Sequence, residues 1–117
     1  MTKERNAMTD IDVIAREHLA VAVDAPHGRS AAMVAQEGPL RQTVLALKAG
    51  AVLGEHNAPV AGSVYVLEGS ITFISASGRV VVNENQLELV PQERHSVEAS
   101  EDSVFLLTAV TETHLDT

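Results

Sequence analysis

The 117-residue chain contains no cysteine and no tryptophan, and only three aromatic residues, Tyr65, Phe73 and Phe105. Without cysteine there are no disulfides, no thiol nucleophile and no thiolate metal site. With so few aromatics, any core must be built mainly from Val, Leu, Ile and Ala. Basic residues are also scarce: 8 Lys and Arg stand against 16 Asp and Glu, a formal charge of −8. Binding a polyanion requires a basic patch that releases counterions, so nucleic acid is not an expected partner. No apolar run approaches the roughly 20 residues that cross a bilayer, so no membrane association is expected. The opening Met-Thr-Lys-Glu-Arg-Asn lacks the apolar stretch of a signal peptide, and the expected location is the cytoplasm. Apolar residues make up 45% of the chain, enough for a real core and too many for wholesale disorder. The length is that of one domain. What remains available is the chemistry of His, carboxylate, hydroxyl and Arg groups.

Residues 1–8 read as a flexible tail, 9–29 as a helix and turn, 30–112 as a barrel, and 113–117 as a second tail. Thr9 is the expected N-cap, with Asp12 as the reciprocal acid of a capping box. Ile11, Ile14, Ala15, His18, Leu19 and Ala22 then recur at helical spacing and form one apolar stripe. Ala25-Pro26-His27-Gly28 ends the helix, because proline cannot continue the ladder and glycine suits the turn. After Ser30 the apolar period falls to about two. Thr43, Leu45 and Leu47 share one face, as do Val64 and Val66, Ile71 and Phe73, Val80 and Val82, and Leu87 and Leu89. The run Val104–Val110 is apolar on both faces, as in a strand buried between layers. Turn signals separate these runs at residues 37–39, 49–50, 54, 58–59, 69, 77–78, 83–85, 91 and 101–102. Short strands at this spacing predict an all-β sandwich or barrel.

Two stretches carry a more specific pattern. The first is Gly50-Ala-Val-Leu-Gly-Glu-His56-Asn-Ala-Pro59-Val-Ala-Gly62-Ser-Val-Tyr-Val-Leu-Glu-Gly69. The second is Asn85-Gln-Leu-Glu-Leu-Val-Pro91-Gln-Glu-Arg-His95-Ser-Val-Glu-Ala. Together they resemble the two motifs of the cupin superfamily, small jelly-roll barrels. The first family motif runs G, five residues, H-x-H, three or four residues, E, six residues, G. Gly50, His56 and Gly69 fall on that frame. The second runs G, five residues, P-x-G-x-x-H. Pro91 and His95 are present, the histidine one residue early. The resemblance spans about residues 30–112. It implies a cupin-like double-stranded β-helix preceded by a short N-terminal helix.

In metal-binding members of that family, two motif-one histidines, the glutamate and the motif-two histidine hold a divalent cation. Here Ala58 and Gly62 stand at the second histidine and the glutamate, so the resemblance implies a degenerate metal site at His56 and His95 only. Transition metals usually take three or more protein ligands. Glu55 and Asn57 flank His56 and, in a strand, face the other way. The expected ligand pocket comprises His56, His95, Arg41, Val64, Val66 and Phe73. In it a neutral imidazole accepts and donates hydrogen bonds or acts as acid or base. Arg41 reads either as an inward charge for a carboxylate ligand or as a surface charge. Arg94 reads as a solvated charge facing away, and Tyr65 as packing on the outer side of its sheet. His18 reads as a packed or interface residue, and Glu98, Glu101 and Asp102 as a solvated turn. His27 and His114 have no assigned role. Ser63 and Ser96 lack the surroundings of a hydrolytic nucleophile.

Three functions stay open from sequence. The barrel binds a small molecule, or it is a metal-dependent enzyme of dioxygenase or isomerase type, or it is a homodimeric structural and interaction module. In the last, the helix stripe packs across a partner or covers its own barrel.

Overall fold

The computed structural model describes residues 8–111. Most of both expected tails, including His114, lies outside the described residues.

Helix α1 spans Ile11–Asp24. Its N-cap is Asp10, not Thr9: the Asp10 carboxylate accepts from the Val13 amide at 3.2 Å. This shifts the frame by one, so the third helical residue is Val13 and a capping box cannot form. Asp12 instead pairs with Arg16 one turn on, and its charge lies near the positive end of the helix dipole. Asp10→Ala removes the cap and should cost about 1 kcal/mol, read as a lowered urea midpoint with an unchanged slope.

Nine strands follow: β1 (Arg29–Glu37), β2 (Leu40–Leu47), β3 (Val52–His56), β4 (Ala61–Glu68), β5 (Ser70–Ser75), β6 (Gly78–Asn83), β7 (Leu87–Leu89), β8 (His95–Ala99) and β9 (Ser103–Val110). They form a five-stranded sheet of order β1-β2-β9-β4-β7 and a four-stranded sheet of order β3-β8-β5-β6. The strand pairings within both sheets are antiparallel. The sheets pack face to face over a core that includes Leu47, Val64, Val66, Ile71, Phe73 and Phe105.

Strands β2 and β9 are buried on both faces, as their double-sided apolar pattern requires. Leu45, Leu47 and Phe105 point into the barrel. Val44, Ala46 and Val104 point outward, where Ala15 and Ala22 of α1 cover them. The helix stripe is therefore spent on the chain's own five-stranded sheet. His18 fastens it further, its Nδ1 lying 2.6 Å from Ser30 Oγ on β1. In β7, Leu87 and Leu89 stand opposite Tyr65 and Ser63 on the outer face and are 66% and 74% exposed. Among the described residues, no helix is long and apolar enough to cross a membrane.

Gly54 differs from its expected role as a turn. It lies inside β3, where the register against β8 slips between Leu53 and His56. Leu53 pairs with Val97 and His56 with His95, so three steps along β3 match two along β8. The extra residue is a β-bulge, which glycine accommodates readily.

Candidate functional site

The β3 bulge builds the site. In an unbroken strand, residues three apart face opposite sides. Leu53 faces the barrel core, so a regular β3 would turn His56 outward. The bulge resets the alternation and brings His56 beside His95, with ring centroids 4.5 Å apart and planes at 70°. In β8 no correction is needed, because His95, Val97 and Ala99 alternate inward. Phe73 of β5 meets His95 edge to face, with centroids 5.4 Å apart.

These side chains line a cavity of about 260 Å³ at one end of the barrel. Its walls are Leu45, Val64, Phe73, Val97, Phe105 and Leu107. Its mouth is formed by His56 and the following Asn57, Ala58 and Pro59. None of the lining residues carries a fixed charge.

The two imidazoles are held alike. His56 Nδ1 lies 2.9 Å from the Gly54 carbonyl, and His95 Nδ1 lies 2.8 Å from the Glu93 carbonyl. A carbonyl oxygen only accepts, so each Nδ1 carries the hydrogen. In the neutral ring, each Nε2 then offers a lone pair. Burial separates the pair: His56 is exposed at the rim, while His95 is 1% exposed. Among the described residues no buried side-chain nitrogen or oxygen lacks a partner. Among those residues His95 Nε2 has no hydrogen-bond partner, so the sliver of His95 left accessible includes that atom, and His95 lines the cavity.

Of the six residues expected in the pocket, His56, His95, Val64 and Phe73 line it. Val66 lies in the buried core but is not part of the lining. Arg41 donates to the Gly38 and Leu40 carbonyls and holds the β1–β2 turn. Arg94 lies outside the cavity, bonding Glu55 at 3.1 Å and Asn57 at 3.4 Å. Sequence reasoning missed Leu45, Val97, Phe105 and Leu107 as walls, although Val97, Phe105 and Leu107 each lie an even number of residues from another lining position on their strands, and Leu45 shares the inward parity of the core residue Leu47. The loop positions 57–59 carry no such signal.

The residues present do not fit the divalent cation implied by the resemblance. Ala58 and Gly62 have no side-chain donor atoms, and Glu55 is engaged by Arg94. The space at Gly62 is also filled: a Cβ there would lie 3.1 Å from Pro59 Cγ and the Thr108 carbonyl, and 3.2 Å from Val90 Cγ2. A glutamate would have to displace backbone as well as side chains. Among the described residues, no three His, Asp or Glu side chains gather as metal ligands.

No protein-family model and no curated protein matches the chain. Solved structures do. A conserved protein of unknown function from Streptococcus pyogenes is 24% identical, with a TM-score of 0.67 over 76% of this chain and 79% of that one. A cupin superfamily protein from Desulfitobacterium hafniense is 13% identical, with a TM-score of 0.68 over 81% of this chain and 89% of that one. An RmlC-like cupin from Shewanella frigidimarina is 17% identical, with a TM-score of 0.66 over 78% and 83%. The paired antiparallel sheets and these likenesses agree: this chain has the cupin fold.

Proposed function

We propose that this cupin-fold protein binds a small molecule within its barrel, through its own side chains and without a metal. The observation that carries this reading is the apolar cavity with the unpaired His95 Nε2 at its wall. A well-packed core closes over its voids, whereas this one keeps about 260 Å³ open and sets the His95 imidazole in its wall. An apolar cavity of roughly 150 Å³ suffices for benzene, so this volume suits a ligand of up to about ten non-hydrogen atoms. Filled apolar surface supplies affinity, and the imidazole supplies orientation.

Thermal unfolding against a panel of small aromatic and alicyclic compounds tests the reading. A ligand at one hundred times its Kd stabilises by about 2.7 kcal/mol, roughly a 10 °C rise in Tm for a domain of this size. Ala58→Trp plugs the mouth from a half-buried position and should abolish that rise. A panel that leaves the wild-type Tm unmoved, or a rise undiminished in Ala58→Trp, counts against binding in the barrel.

A further inference from the structure

The polar atoms of the cavity are arranged for one kind of ligand. We infer that the site selects a neutral hydroxyl compound, a phenol or an alcohol with an apolar body, whose O–H donates to His95 Nε2. The ligand class presupposes the barrel binding proposed above.

The donor and acceptor inventory leads to this class. Both Nδ1–H groups are consumed by the carbonyls of Gly54 and Glu93. What the imidazoles have left in their neutral form is acceptor capacity. His95 presents it from a nearly fully buried position, where a lone pair facing an apolar ligand would lose its hydration without compensation. A ligand O–H satisfies it. An ether or ketone brings a second acceptor instead and leaves both groups unpaired. A carboxylate brings a full negative charge into a cavity lined by no Lys or Arg. The Arg94 guanidinium lies outside the lining and is committed to Glu55, and Asn57 gives its Oδ1 to the same group. Anions are therefore rejected by desolvation and by two facing lone pairs. The walls accept a flat or compact hydrocarbon body, with Phe73 and Phe105 on two sides.

Three isomers make the test, because p-cresol, benzyl alcohol and anisole share one formula and nearly one size. Toluene serves as the apolar control and benzoate as the anion. Affinities are measured by calorimetry on the full chain, with a chelator present. One net hydrogen bond corresponds to roughly a three- to tenfold preference. At least one of the two hydroxyl isomers should bind that much more tightly than anisole, and benzoate should not bind. His95→Leu, of similar volume, should level the hydroxyl isomer and anisole. The His95 Nε2 nitrogen resonance of the wild type gives a second readout, independent of whether that variant folds. It should shift toward the hydrogen-bonded value with the hydroxyl isomer and stay in place with anisole.

If toluene and anisole bind and neither hydroxyl isomer binds better, the hydroxyl assignment is overturned while barrel binding stands. Tighter binding of benzoate, or a hydroxyl preference lost with the chelator, also overturns it. If none of the five probes binds, barrel binding falls and the assignment falls with it.

Discussion

Gly69→Ala should be the most damaging single methyl addition considered for this chain, costing about 4 kcal/mol or more in urea unfolding followed by circular dichroism. Gly69 joins β4 to β5 with φ +86°, a conformation that favours glycine. A Cβ there would collide with Ser103 Oγ and the Asp102 carbonyl, and would lie 2.8 Å from Ser103 Cα. Backbone cannot swing aside as a side-chain tip can. Ser103 is also committed: its hydroxyl accepts from the Ser70 amide at 2.9 Å and lies within donating reach of the Ser70 and Glu101 carbonyls. Displacing it strands buried polar groups as well as straining the chain. Gly50→Ala is the matched control. Gly50 has the same φ of +86°, but a Cβ there meets nothing within 4 Å. It should cost only the backbone term, roughly 1–2 kcal/mol. Equal losses in the two variants would mean that the β4–β5 corner relaxes around the added methyl. Net stabilities of small domains run to roughly 5–15 kcal/mol, so the Gly69 variant is left marginal or unfolded.

Phe73→Ala should cost about 3–5 kcal/mol, the range for truncating a buried phenylalanine. The ring is 2% exposed and belongs at once to the core and to the cavity wall. Its removal deletes apolar contact and also the edge-to-face support of His95. The two consequences separate experimentally. Denaturation reports the lost packing. Binding reports the enlarged cavity, where the variant should gain affinity for ligands larger than those the wild type accepts. A loss below about 1 kcal/mol would show that neighbouring side chains collapse into the space, and no larger ligand should then bind.

The histidine pair shows what can be read from a chain and what cannot. The motif frame located His56 and His95, and the inward parity of β8 follows from His95, Val97 and Ala99 alone. The parity of β3 misleads, because His56 reaches the cavity through a bulge at residues 54–55. A bulge is a mismatch between two strands, and neither strand carries it by itself. Arg41 and Val66 make the same point. Arg41 has the spacing of an inward residue, yet the carbonyls of its own turn take its guanidinium. Val66 alternates inward with Val64 but packs away from the open end of the barrel. At the helix start, a one-residue shift from Thr9 to Asp10 exchanged the capping box for an Asp12–Arg16 pair.

By itself, the amino-acid sequence determined the elements that depend on near neighbours. These were the absence of thiol chemistry, the helical stripe from Ile11 to Ala22, the doubly apolar β9, and, Gly54 apart, the turns between short strands. Periodicities of 3.6 and 2 are local properties and survive in one dimension. The tertiary structure decided the rest. It buried His95 and left His56 at the rim, committed both Nδ1 atoms to carbonyls, and packed Pro59 and Val90 against Gly62. Each of these depends on which distant residues meet, and long-range pairing and packing set that.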